Sequence, residues 1–206
     1  LYRNAQKKGR IEITVSPYFH PILPLICDSN SAKVSTPDLA MPKNRFKHPE
    51  DATEQVKRGI ELHTKVFGRT PLGMWPPEGA VSEESLRIAC QSGIKWVATD
   101  EGILEASLGV ELRDTSSRQV TRPDLLYYPH KFVVDGREVV LFFRDRLLSD
   151  NISFTYMNLP PHEAVDDFFN RLLEIRNQLG REAPQAVVPV ALDGENCWEI
   201  YDRDGS

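Results

Sequence analysis

Five short apolar runs separated by helical patterns constrain the fold of this chain more than any other feature. They are IEITVSPY (11–18), PLGMWP (71–76), KWVATD (95–100), REVVLFFRD (137–145) and AVVPVALD (186–193). Each is rich in Val, Ile, Phe, Thr or Trp, the residues that suit a pleated surface, so each reads as a strand. Between them, PEDATEQVKRGIELHTKVFG (49–68) places Val56, Ile60, His63 and Phe67 on one helical face. Asp51, with Glu54 three residues on, is the expected N-cap there, and Gly68 the stop. SEESLRIACQSG (82–93) opens on Ser82 and two acids, and PPHEAVDDFFNRLLEIRNQLG (160–180) carries Val165, Phe168, Phe169, Leu172 and Leu179 before Gly180. Residues 28–48 read as a long loop with a short helix, and 109–130 as another loop or excursion.

Strands alternating with helices indicate an α/β fold with parallel strands, covered on both faces and therefore largely apolar. Doubly wound sheets and barrels both fit. No glycine-rich phosphate turn follows a strand, which takes weight from a nucleotide-binding sheet. In a barrel the chemistry gathers at the C-terminal strand ends. The polar residues of this chain sit there: Tyr18 and His20, Glu78, Asp100 and Glu101, Arg144 and Asp145, Asp193 and Glu195.

Composition narrows the partners. The 206 residues carry a formal net charge of −5 and no basic stripe, which argues against nucleic acid. No apolar run is long enough to span a membrane. Cys27, Cys90 and Cys197 fit neither a disulfide framework nor a zinc spacing, so a reduced, cytoplasmic setting is expected. The histidines form no i, i+4 pair, and no metal or other cofactor is expected. His63 reads as structural, while His48, His130 and His162 give no signal. The ends, LYRNAQKKGR and YDRDGS, read as cut, so residues 1–206 are expected to be an internal part of one catalytic barrel.

Two carboxylates stand out. Glu78, in GMWPPEGAVSEE (73–84), follows two prolines that stiffen the strand exit and present the acid in one direction. Asp193 ends an apolar run and begins DGENCWE, which brings Glu195, Asn196 and Trp198 close behind it. An amide, acids and an indole are what a sugar site uses: polar groups for the hydroxyls, an aromatic face for the ring. Two carboxylates on different strands can converge on a glycosidic bond, one at the anomeric carbon and one as proton donor. His20, directly after a strand in SPYFHPILPLI, suits an active-site hydrogen bond.

Five segments in order resemble glycoside hydrolase family 57: RIEITVSPYFHPILPLI (10–26), GMWPPEGAVSEE, WVATDEGIL (96–104), LFFRDRLLSD (141–150) and LDGENCWEIY (192–201). The resemblance covers nearly the whole chain. It implies a (β/α)7 barrel, here incomplete, and retaining action on α-glucans. It makes Glu78 the nucleophile, Asp193 the general acid/base and His20 a neighbour of the sugar at the cleavage point. Trp75 and Trp198 are then sugar platforms. Asp100, Glu101, Arg144, Asp145, Glu195 and Asn196 are expected substrate contacts. Asn196, Cys197 and Trp198 stand where many members have Phe–Gly, which is closer to the amylase and amylopullulanase-like branch. The family's first and fifth regions are absent, so these residues alone are expected to be inactive and the longer enzyme active. A glucanotransferase or branching enzyme is the alternative within the family. A metal-dependent polysaccharide deacetylase would need an Asp with two helically spaced histidines, and a mere glucan-binding protein would not need both acids.

Overall fold

A computed structural model describes residues 1–194 and 199–202. The chain divides into two compact units. The first comprises Leu1–Thr99 with His130–Leu141, the second Asp100–Pro129 with Phe142–Ser206.

In the first unit, α1 (Tyr2–Lys7), α2 (Leu23–Cys27), α3 (Ala32–Ser35), α4 (Pro49–Phe67) and α5 (Glu83–Gln91) accompany a sheet. Among the described residues, the strands of the chain are β1 (Gly73–Met74), β2 (Trp96–Asp100), β3 (His130–Val134) and β4 (Arg137–Arg144), in the spatial order β1-β2-β4-β3. β1 and β2 are parallel, with Met74 opposite Val97, and Val15 makes a single parallel bridge to Met74. β3 and β4 form an antiparallel hairpin with His130 opposite Leu141. The wholly parallel sheet expected from the sequence is therefore corrected. Asp135 and Gly136 turn that hairpin with φ of 51° and 70°, the pattern of a two-residue I′ turn. Val15, Leu23, Val56, Met74, Val97 and Val139 are buried in this unit.

Proline explains why three expected strands shrink. A proline has no N–H to give a ladder. In 11–18, Pro17 leaves pairing at Val15 alone, whose N–H donates to Gly73 O (3.0 Å) and whose O accepts from Trp75 N (3.1 Å). In 71–76, Pro71 and Pro76 confine the strand to two residues. The 186–193 run holds Pro189 and joins no strand among the described residues.

The helices begin where their first turns can be satisfied. Pro49 sets the start of α4, so His48 is its N-cap and Asp51 lies inside, against expectation. Ser82 caps α5 as expected, its hydroxyl accepting from Ser85 N while Ser85 Oγ accepts from Ser82 N. His63, on the buried face of α4, lies with Nδ1 3.1 Å from Arg69 O and Nε2 3.0 Å from Ile13 O.

The second unit holds α6 (Glu101–Leu108), α7 (Pro123–Leu126), α8 (Arg146–Asp150) and α9 (Pro161–Leu179). α7 packs on α9. Leu104, Leu112, Leu126, Tyr127, Leu148 and Ile175 are buried here. Ile175 is the only buried residue of α9, while Val165, Phe169 and Leu173 on it are exposed. No helix among the described residues is long and apolar enough to cross a membrane.

Candidate active site

Glu78 stands on a 3-10 turn, Pro77–Gly79, four residues beyond the Met74 register point. Its φ is 57° and ψ 18°, a left-handed conformation that a side chain with a Cβ adopts at a cost of about 1–2 kcal/mol. The following residue, Gly79, is also left-handed at φ 64°. The turn is held from both sides. Gly79 N donates to Pro76 O (2.9 Å) and Ala80 N to Pro77 O (3.0 Å), while the wholly buried Thr99 hydroxyl donates to Gly79 O. Pro76, Pro77 and Gly79 are buried but Glu78 is exposed. The backbone is thus fixed while the carboxylate is offered outward.

His20 is the second non-glycine residue of this unit's strand ends with positive φ, at 55°. It lies five residues beyond Val15 on the segment that bridges Met74, so His20 and Glu78 leave neighbouring segments at the same end. Its side chain is exposed, as are those of Tyr18 and Phe19, whose rings meet edge to face at 4.7 Å. Gln55 of α4 anchors this corner, its O accepting from Tyr18 N (3.1 Å) and its Oε1 from Phe19 N (2.9 Å). Trp75 is half-buried beside the Glu78 turn. Gly73 makes room for the neighbouring Trp96 indole: a Cβ there would stand 2.2 Å from Trp96 Cε2. The Trp96 Nε1–H donates to Glu12 Oε1 (3.0 Å).

The remaining acids of the strand ends form two connected clusters in the second unit. Asp100 caps α6 through Gly102 N (2.9 Å) and accepts from Arg144 Nε (2.8 Å) and from the Arg146 guanidinium. Burial pushes the Asp100 carboxyl up, but the bonds from Arg146, Gly102 N–H and Arg144 outweigh it and hold it below its ordinary value. Glu101, 3% exposed, takes Arg113 in bidentate fashion (2.6 and 2.7 Å) and accepts from Arg146 N (3.0 Å). Asp145, 1% exposed, pairs with Arg113 (2.7 Å), accepts from Tyr127 OH (2.6 Å), and caps α8 through Leu148 N (2.8 Å). Burial lowers the Arg113 pKa, yet its bonds to the Glu101 carboxylate and the charge of Asp145 outweigh this and raise it. Burial, with Asp145 beside it, raises that of Tyr127.

Asp100 and Arg144 are therefore brought together, partly open. Glu101 and Asp145 are joined through Arg113, and their oxygens face inward. Asp193 is exposed at the end of its run, followed by a turn at Gly194. Glu195, Asn196 and Trp198 lie outside the described residues. Arg113 and Tyr127, which hold these buried acids, were missed by the sequence reading; the Arg at 113 sits in an irregular segment with no periodic signal. Cys27 is not a competing nucleophile, since burial, with Glu84 nearby, pushes its thiol up to about 11. Among the described residues, no three His, Cys, Asp or Glu side chains cluster as a metal ligand set.

Parallel pairing of β1 with β2, with helices between the strands, defines an α/β protein. The family follows from comparison: the chain belongs to glycosyl hydrolase family 57, whose model matches residues 1–206. It is 25% identical over 95 residues to alpha-amylase 1 of Dictyoglomus thermophilum, covering 46% of this chain and 11% of that one. Its fold is similar to that of 4-alpha-glucanotransferase from Thermococcus litoralis, with a TM-score of 0.64 at 20% identity, over 98% of this chain and 26% of that one. A branching enzyme of the same family from Thermococcus kodakaraensis aligns with a TM-score of 0.61 at 15% identity, over 93% and 41%. The chain thus spans well under half the length of each of these relatives.

Proposed function

We propose that the full-length protein is a retaining glycoside hydrolase acting on α-1,4, and by extension α-1,6, bonds of starch- or glycogen-type glucans. The observation that carries this reading is the exposed, left-handed Glu78 on a proline turn locked by Thr99, in a chain of family 57. Glu78 attacks the anomeric carbon as the glycosidic bond breaks, forming a glycosyl-enzyme, and Asp193 protonates the leaving oxygen. Asp193 then takes a proton from water, which displaces Glu78. His20 donates or accepts at a sugar hydroxyl, and Trp75 and Trp198 pack on ring faces. Asp100 and Arg144 present a carboxylate and guanidinium partly open to ligand hydroxyls. Glu195 and Asn196 follow Asp193 closely enough to contact the same sugar. The incomplete (β/α)7 barrel belongs to the same reading, supported by the parallel pairing of β1 with β2 and by the fold of the relatives.

In the full-length protein, Glu78→Gln should lower turnover by more than about 10³-fold while leaving glucan binding largely intact. Adding azide to Glu78→Ala should restore cleavage and yield a β-glycosyl azide. A Glu78→Gln variant that keeps its activity, or rescue that gives no azide product, rejects the nucleophile assignment. Products from maltooligosaccharides, amylose and pullulan separate hydrolysis from glucan transfer and branching.

A further inference from the structure

The run that delivers Asp193 joins no strand among the described residues, yet it is held at three alternate residues. Val187 N donates to Tyr127 O (2.9 Å), Pro189 O accepts from Asp145 N (2.8 Å), and Ala191 N donates to Ser149 Oγ (3.1 Å). Pro189 has no donor, so its carbonyl is the atom that can be pinned there. All three anchoring residues belong to one buried cluster. The Tyr127 hydroxyl donates to Asp145, Arg113 pairs with Asp145, and Ser149 Oγ donates to Asp145 O (2.7 Å). Ser149 is wholly buried.

Resting on the assignment of Asp193 as acid/base, we propose that Ser149 is the positioning residue that sets where Asp193 stands. Its hydroxyl is used twice, donating to the carbonyl of Asp145, the N-cap of α8, and accepting from Ala191 N. That bond is the nearest fixed point before Asp193 among the described residues. Two residues of chain reach about 7 Å; without Ser149 Oγ the nearest such anchor is Pro189, four residues and about 14 Å away. A lever twice as long lets the carboxyl wander from the leaving oxygen, and misplacement of about 1 Å can cost about a hundredfold in rate. An alanine at 149 would also leave the Ala191 N–H without its partner. The cluster's buried charges thereby acquire a role at one remove: Glu101 and Asp145 hold Arg113 and α8, α8 holds Ser149, and Ser149 holds the acid.

The test separates proton donation from general damage through the leaving group. In glycosylation, the anomeric carbon–oxygen bond breaks as Glu78 bonds to carbon, and the proton goes from Asp193 to the leaving oxygen. A 2,4-dinitrophenolate leaves without that proton; a sugar alkoxide does not. With the full-length protein, Ser149→Ala should lower kcat/KM on a maltooligosaccharide by about tenfold to a hundredfold. On 2,4-dinitrophenyl α-maltoside it should change by less than about threefold, since kcat/KM reports the glycosylation step. Ser149→Cys, nearly isosteric and a weaker acceptor, should show the same split to a smaller extent and stands in if the alanine variant does not fold. Equal losses on both substrates, or no loss on either, overturn the proposal. Asp193→Asn is the companion variant. If it lacks the split, the acid/base assignment itself fails; if it shows the split and the Ser149 variants do not, only the positioning role falls.

Discussion

At the scale of single residues, an acid at a strand end has two physical fates, and the structure separates them. A carboxylate that begins a helix satisfies orphan N–H groups of the first turn. Asp100 and Asp145 do this for α6 and α8. Glu78 does not: it caps nothing, stands exposed and holds φ at 57°. Strain at such a residue persists only because the surrounding turn over-determines it. Glycine has no such penalty, so Glu78→Gly should raise stability by about 1 kcal/mol while abolishing turnover; Glu78→Ala should lose turnover without the gain. Thermal melts of the two variants against the parent check this. A glycine variant no more stable than the alanine variant would mean that the left-handed conformation is not strained here.

At the scale of elements, the long helices and the strands at Trp96–Asp100 and Arg137–Arg144 were legible, while the runs that carry internal or bounding prolines were not. α4, α5 and α9 each have capping or stopping residues in the sequence, and their observed ends fall within about two residues of the expected ones. The strands depended on which prolines removed donors and which neighbours happened to pair, which is a non-local matter. The hairpin of β3 and β4 was missed although Asp135–Gly136 between KFVV and REVV is a strong short-range signal. Of the strand His130–Val134, only His130 falls in the expected 109–130 loop, and the residues before it show no period that would mark a strand start. In the site, Glu78 and Asp193 were visible as acids ending apolar runs. That Glu101 and Asp145 face inward was not, because their partner Arg113 is 12 and 32 residues distant and sits in irregular chain. Packing between β1 and β2 adds a prediction. Gly73→Ala would drive its Cβ into the Trp96 indole, 2.2 Å away, so Trp96 should shift and lose Glu12. Overpacking of this kind costs about 1–3 kcal/mol. Denaturant melts should show that loss together with a change in tryptophan emission, and Trp96→Val in the same chain should recover most of it by removing the obstacle. A Gly73→Ala variant of unchanged stability and emission would show that the indole can move freely.

At the scale of the whole molecule, the proposed reaction asks two acids 115 residues apart in sequence (193 − 78) to act as one unit. Glu78 lies in the first compact unit and Asp193 in the second. Residues that act together lose their effects together: once the nucleophile is gone, the proton donor has little left to assist. Asp193→Asn alone should therefore cost several powers of ten on natural glucans, whereas adding it to Glu78→Gln should cost at most about tenfold more. Retention supplies the stereochemical half of the same prediction. Two inversions, one by Glu78 and one by water, must give the α-anomer as first product, and the carboxyl separation that permits this is about 5–5.5 Å against about 6.5–9.5 Å for a single displacement. Proton NMR of the anomeric signals in the first minutes of hydrolysis, before mutarotation, reads the product directly. An initial β-anomer would require direct attack by water and remove the covalent role from Glu78. Additive losses in the double variant would instead mean that the two acids work in separate steps or at separate places. Non-additive losses with an α-product leave one arrangement, a nucleophile fixed by its turn and an acid delivered by a pinned run, meeting at the same glycosidic bond.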